Sequence, residues 1–159
     1  VGADCSVGQG CYVGPGVVIG DRVKIQNYAL IYEPSQIESD AFIGPGVILA
    51  NDRNPRAVSL DGRPKGLGDW RPQGITIRRG ASIGAGAILV PPVEIGEWAM
   101  VGAGSVVLTD VPRYGLFVGN PARRIGWVGR AGFKLEKFGD RYLCPETGED
   151  YGELDSTCY

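Results

Sequence analysis

The side chains with most chemistry to offer are gathered in one stretch, ANDRNPRAVSLDGRPKGLGDWRPQGIT, residues 50–76. Five basic residues, Arg53, Arg56, Arg63, Lys65 and Arg71, stand there against Asp52, Asp61 and Asp69, with Trp70 beside Arg71. Guanidinium groups suit carboxylates and phosphates, which they hold through two parallel hydrogen bonds. A second set follows at Asn120, Pro121, Ala122, Arg123 and Arg124. The four cysteines, Cys5, Cys11, Cys144 and Cys158, show no C-x-x-C spacing, and the chain has no histidine. An ordinary Cys/His zinc site is therefore excluded, and no metal is expected.

These residues need a scaffold, and a period of six describes it. From Val1, steps of six reach Val7, Val13, Ile19, Ile25, Ile31, Ile37, Ile43 and Leu49 without an exception; a second series runs Ile77, Ile83, Leu89, Ile95, Val101 and Val107. Four residues after each comes a small or aliphatic side chain, from Cys5, Cys11 and Val17 through to Ser105 and Val111, and only Arg53 fails. Six matches neither the helical period nor a simple alternating strand. It matches short strands joined by tight corners, and glycine follows the aliphatic residue at many of those corners, as at Gly44, Gly84 and Gly102. Three such strands close one triangular coil, so like positions stack one coil above another around a continuous core. The expectation is an all-β parallel β-helix of about five coils over residues 1–127, interrupted by the excursion at 50–76, with a tail at 128–159 capping its end. Cys5 and Cys11 fall on inward positions and read as core packing; Cys144 and Cys158 either pair or pack.

Composition narrows the function. Formal charge is −2, with three basic and seven acidic residues after position 130, so the body is slightly positive. That balance suits small anionic ligands, and it lacks the basic stripe of a nucleic-acid binder. No run is long and apolar enough for a membrane span, and no leader is apparent, so a reduced, cytoplasmic protein is the expectation. A loop as long as 50–76 is unusual for a mere connection, and long loops on rigid scaffolds tend to carry function; the alternative is a solvated surface loop.

The pattern [LIV]-G-x-x-[small]-x resembles the hexapeptide-repeat acyltransferases, and the stretches VGQGCYVGPGVVIGDRVKIQN (7–27), ANDRNPRA (50–57), RRGASIGAGAILV (78–90) and VGAGSVV with DVP and VGNPARRIGW (101–127) narrow the likeness. They look like the UDP-2-acetamido-3-amino-2,3-dideoxyglucuronate N-acetyltransferases of bacterial O-antigen and surface polysaccharide biosynthesis. The resemblance implies a left-handed helix, a homotrimer with sites shared between subunits, and acetyl-CoA as co-substrate. It places a key asparagine at the start of the excursion, matched by Asn51. An amide is no base near neutral pH, so Asn51 would orient the amine or a water by hydrogen bonds; Asp52, adjacent and ionisable, is the alternative base.

By hexad position Ala85 and Ala103 stack on one edge with Gly102 beside them, either as plain corners or as a narrow edge where an extended cofactor arm bonds the main chain; Asn120, Pro121, Arg123 and Arg124 near its end favour the second, with guanidinium groups for the CoA phosphates. Gln26, Asn27 and Tyr32 would read the nucleotide or sugar, with Asn54, Arg56 and Arg71 toward the diphosphate or uronate. Four departures from the family pattern stand out: Pro91-Pro92 replaces a residue-glycine pair, Thr109 replaces a lysine, Tyr28 replaces an asparagine, and the histidine that many such enzymes use for the proton is absent. Two other readings remain open: the same chemistry on a dTDP-linked amino sugar or a hydroxyl group, and a non-catalytic β-helix scaffold.

Overall fold

The six-residue beat becomes, in the computed structural model, a strand of two or three residues followed by a corner; residues 1–154 are described. The first coil carries β1 (Ser6–Val7), β2 (Tyr12–Val13) and β3 (Val18–Ile19), the second β4 (Lys24–Ile25), β5 (Leu30–Ile31) and β6 (Gln36–Ile37). The third has β7 (Phe42–Ile43), β8 (Ile48–Leu49) and β9 (Ile75–Ile77), the fourth β10 (Ser82–Ile83), β11 (Ile88–Leu89) and β12 (Val93–Ile95). Then come β13 (Met100–Val101), β14 (Val106–Val107), β15 (Gly115–Gly119), β16 (Ala122–Trp127), β17 (Glu136–Phe138) and β18 (Arg141–Leu143).

Like strands pair in parallel with their counterparts one coil away. Face 1 stacks β1, β4, β7, β10, β13 and β15; face 2 stacks β2, β5, β8, β11 and β14; face 3 stacks β3, β6, β9 and β12. The chain is the parallel β-helix its repeats predict, left-handed as the family resemblance implies.

The on-beat residues fill the prism. Ile25, Ile31, Ile43, Leu49, Ile77, Ile83, Leu89, Ile95 and Val101 are at most 1% exposed, and each such side chain contributes roughly 1.5–3 kcal/mol by leaving water. Two inward positions are polar and are satisfied by the next coil: Ser35 Oγ accepts the N–H of Ile75 at 3.3 Å and Ser105 Oγ that of Gly119 at 3.1 Å. The coils approach so closely at corners that a Cβ on Gly84 would collide with the backbone nitrogen of Ala103 above it.

Two features depart from the count of five coils and a uniform core. Face 1 acquires a sixth parallel strand, β15, because the last turn closes early. Ile95 bridges Val111 and Val101 pairs with Phe117, where the regular beat would have brought Arg113 and Gly119. Phe117, off the six-residue beat, is nevertheless 6% exposed. At the other end Val1, Val7 and Val13 are 78%, 51% and 37% exposed, since a core residue in the first coil has a neighbour on one side only. Cys5 and Cys11 pack against this part of the core, each thiol 3.0 Å from a carbonyl oxygen of the next coil, Gly20 and Gln26 respectively.

β16 reverses against β15, and beyond it the chain forms a second small core from Trp127, Leu135 and Cys144, with Tyr114, Tyr142 and Tyr151 packed around it. The Cys144 thiol is free and buried; Cys158 lies outside the described residues. None of the helices among the described residues is long and apolar enough to cross a membrane.

Candidate functional site

The excursion leaves the prism at the edge between faces 2 and 3. Ile37 pairs across it with Ile77, where an uninterrupted coil would have brought Pro55 into register, and the whole difference is inserted at one corner. The insertion is pinched at its neck, where the N–H of Gln73 donates to the carbonyl of Asn51 at 2.9 Å and Gly74 lies on Pro34 of the coil below. Within it, Ala57 to Lys65 fold as a small hairpin: Lys65 N–H donates to Ala57 O, Ser59 N–H to Arg63 O, and Gly62 takes a positive φ of 81° at the tip. Leu60, at that tip, is fully exposed. Arg53 folds back along the edge, Nη1 lying 3.3 Å from the carbonyl of Pro91 and 3.5 Å from that of Leu108.

Asn51 keeps its side-chain amide free of any intramolecular partner among the described residues, because its neck bond uses the main chain. Asp52 is differently placed: Oδ1 accepts the N–H of Asn54 at 2.9 Å and so stabilises a turn. Asp52 and Arg56 line a cavity of about 440 Å³ inside the excursion with Ala57, Lys65, Gly66 and Trp70. Arg63 is committed to Asp61 and Asp69 at 3.2 and 3.5 Å. Arg56 reaches only the carbonyl of Pro55, at 2.8 Å, and no acid among the described residues pairs with Lys65 or Arg71. Arg56 and Lys65, two cations on one concavity with no acid paired to either among the described residues, attract anions.

The other candidates lie on a different edge, between faces 1 and 2. Asn27, Ala85 and Ala103 each stand two residues beyond paired face-1 strands and form one column, with Gln26 and Gly102 beside them. The exposed hairpin turn at Asn120 and Pro121 closes its C-terminal end. Asn27 spends its side-chain oxygen on the N–H of Gln9, 2.9 Å away. Higher up the column no side chain covers the equivalent amides, and the N–H groups of Ala85 and Ala103 have no acceptor among the described residues. Arg123 is exposed on β16, with Nη1 2.9 Å from the Ala122 carbonyl, and the Arg124 guanidinium lies 4.6 Å from the centre of the Trp127 ring.

One chain therefore brings together Gln26, Asn27, Ala85, Gly102, Ala103, Asn120 and Pro121 on the first edge, and Tyr32, Asn51, Asp52 and the excursion on the second. Pro91, Pro92 and Thr109 continue the second edge above Asn51. A larger concavity, about 720 Å³, opens on face 3 among Glu38, Arg78, Glu94, Glu97, Asp110 and Arg113. Arg78 is already held there by Glu38 at 2.8 Å and Glu94 at 2.6 Å. Its bond from Arg78, set against partial burial, and a second from the Arg79 N–H hold the Glu38 carboxyl below its ordinary range. These paired charges knit coils together.

One residue on the second edge escaped the sequence reading. Glu33, immediately after Tyr32, has its Oε2 atom buried with no hydrogen-bond partner. Nothing in a hexad distinguishes it from a solvated corner residue; its oddity appears only when the coil below is in place.

Residues 1–33, 16–51 and 74–109 match the family described as bacterial transferase hexapeptide (six repeats). The chain is 46% identical, over 79 residues, to the dTDP-3-amino-3,6-dideoxy-α-D-galactopyranose 3-N-acetyltransferase of Aneurinibacillus thermoaerophilus, covering 50% of this chain and 41% of that protein. It thus spans less than half of that relative's length. Among solved structures it is similar to a hexapeptide-repeat acetyltransferase from Vibrio cholerae complexed with acetyl-CoA, with a TM-score of 0.59 and 28% identity, covering 76% of this chain and 69% of that one. It is also similar to a mutant GDP-perosamine N-acetyltransferase from Caulobacter crescentus in complex with CoA and GDP-perosamine, with a TM-score of 0.58 and 25% identity, covering 77% and 51%.

Proposed function

The chain belongs to the bacterial transferase hexapeptide family, and from that premise we propose that it transfers acetyl from acetyl-CoA to the 3-amino group of a UDP-linked amino sugar, a uronate, for bacterial surface polysaccharide. The observation that carries the proposal is the pair of prism edges. One has the uncovered amides of Ala85 and Ala103; the other has the free Asn51 amide at the neck of a cation-rich loop.

Acetyl-CoA would lie along the Ala85–Ala103 edge, its extended arm accepting those N–H groups as an added strand would, with Arg123 and Arg124 toward its phosphates. The sugar nucleotide would meet Gln26, Asn27 and Tyr32, with Asn54, Arg56 and Arg71 toward its diphosphate or uronate. On a single chain the two edges lie on opposite sides of face 2, so an amine held by Asn51 would meet a thioester on the other edge if a neighbouring copy supplies one of them. That supports a homotrimer with shared sites, and the exposed Leu60 at the hairpin tip is where a neighbouring copy would cover apolar surface. The proposed setting is the cytoplasm, where acetyl-CoA and nucleotide sugars are made.

Acetyl transfer needs the amine near the thioester carbon and donors for the oxygen that gains charge. Asn51 contributes by orientation. Asp52 is a poorer base, because its carboxylate is engaged at the Asn54 N–H. Pro92, on the Asn51 edge, has no N–H to offer the oxyanion; that contact would have to come from another donor.

A second reading, a dTDP-linked acceptor, is favoured by the 46% identity to the A. thermoaerophilus enzyme. Release of CoA from acetyl-CoA, measured against UDP- and dTDP-linked 3-amino sugars, tests both. Turnover with the UDP uronate supports the first reading, turnover with dTDP sugars alone the second, and no release with either refutes the transferase. Light scattering of the purified protein checks the trimer.

A further inference from the structure

The geometry points to Glu33 as the group that takes the proton from the acceptor's ammonium, an assignment that rests on the acetyl-transfer reading above. Asn51 cannot accept that proton, the chain has no histidine, and Asp52 holds a turn. Glu33 stands on the same edge as Asn51: Ile31 pairs with Leu49, and Glu33 and Asn51 each follow two residues later, so they occupy equivalent corner positions one coil apart.

What singles it out is a broken pattern. At this corner position a side-chain oxygen elsewhere reaches down one coil and accepts a backbone N–H: Asp21 from Ala3 at 2.8 Å, Asn27 from Gln9 at 2.9 Å, and Ser39 from Asp21 at 3.0 Å. The residue below Glu33 is Pro15, as the pairing of Val13 with Ile31 sets, and proline has no N–H to give. Glu33 Oε2 therefore lies folded over Gly14, buried and unpartnered. A buried acceptor without a donor is costly, so turning the carboxylate outward sacrifices no hydrogen bond and gains one wherever a donor waits. A substrate ammonium beneath the Asn51 neck is such a donor.

The surroundings fit a sugar amine. Tyr32, adjacent on the edge, packs on Tyr12 with ring centres 5.0 Å apart, a flat wall beside the carboxylate. Of the charged groups at the corner above, Asp52 is bound to the Asn54 N–H and Arg53 is turned up to the carbonyls of Pro91 and Leu108; neither pairs with Glu33.

The step balances simply. The Glu33 carboxylate takes one proton from the ammonium, and the freed amine attacks the thioester carbon. The carbon–sulfur bond breaks, and the leaving thiolate takes the second proton from the new amide nitrogen. Glu33 then returns its proton to water.

The test compares the full chain with its Glu33→Gln and Glu33→Ala variants, following CoA release against the accepted amino-sugar nucleotide from about pH 6 to pH 9. Loss of the base should lower kcat/KM about 100-fold at the acid end, and the deficit should shrink toward alkaline pH as free amine replaces ammonium. Acetyl-CoA binding should be unchanged, and acetate in the buffer should restore part of the activity of Glu33→Ala, a readout that survives if Glu33→Gln folds poorly. Wild-type rates in both variants, or a deficit that is constant with pH and unrescued, would overturn the Glu33 assignment while leaving acetyl transfer intact. No CoA release by the unmodified protein removes both.

Discussion

The carbonyl of Asn51 accepts the N–H of Gln73 at 2.9 Å, so the inserted loop begins and ends at one corner of the prism. The bond uses main-chain atoms, which separates what Asn51 does for the fold from what its amide does for a ligand. Asn51→Ala should change the folding stability by no more than a surface substitution does, about 0.5 kcal/mol. It should also lower kcat for acetyl transfer about 100-fold or more, the scale of a lost positioning contact. Asp52→Asn should cost far less. Steady-state CoA release by the two variants decides the order, and an essential Asp52 beside a dispensable Asn51 would reverse the assignment.

Arg53 is the strap between excursion and prism, spanning to Pro91 and Leu108. Removing it as Arg53→Ala should loosen the loop without unfolding the coils. Limited proteolysis should then cut within 50–76 several times faster, and KM for the sugar nucleotide should rise while the thermal transition stays in place.

Stacking is least forgiving at Gly84, where a Cβ would meet the backbone of the next coil. Gly84→Ala should destabilise the prism by about 1–3 kcal/mol, the usual cost of overpacking. Gly46 takes a positive φ of 67° but has open space around it, so Gly46→Asn should be far milder. Denaturant melts of the two variants provide the comparison.

At acid pH the charge ladders should give way. Hydrogen bonding from Arg22 at 2.6 Å, with further support from Arg79 at 2.9 Å, holds the Asp40 carboxyl below its ordinary value, as Arg78 does for Glu38. A depressed folded-state pKa means stability that is present above the ordinary values of 3.8 and 4.5 and lost as pH falls through the lower folded ones. Both pairs are partly exposed, so the loss should be modest and should shrink in high salt. Melting curves from pH 6 to pH 3 in Asp40→Asn should be flatter than those of the unmodified chain.

Tyr151 gives the opposite sign at the other end of the scale. Burial, assisted by Glu149, pushes its phenol up to about 12. Its hydroxyl donates to Glu149 at 2.6 Å and accepts the Arg130 N–H at 2.7 Å. The stability it contributes is complete below the ordinary value of 10.0 and disappears as pH rises through about 12. The Trp127 fluorescence of the tail's core should change over that interval, and Tyr151→Phe should lose the change and cost about 1 kcal/mol at neutral pH.

Much of the scaffold was legible in the sequence because every coil repeats one local problem: an aliphatic residue inward, a tight corner next, the same again on the following face. The interruption at 50–76 was legible for the same reason. The turn from Ile95 to Phe117 was not, since it closes ahead of the beat and puts the aromatic ring of Phe117 where counting would have placed Gly119. Arg78 and Arg79 bind three carboxylates, Glu38 and Asp40 from one corner and Glu94 from a strand, a relation that exists only between coils.

By itself the sequence determined the period, the inward residues and the place where the beat fails, because these depend on neighbours a few positions away in the chain. Only the tertiary structure decided that the candidates lie on two separate edges, that Asp52 is engaged while the Asn51 amide is free, and that Glu33 stands over a proline. The edges and the placing of Glu33 over Pro15 come from contacts between one coil and the next, made when they settle on each other. Whether a polar corner group finds its partner is decided by that stacking, and no single hexad contains the answer.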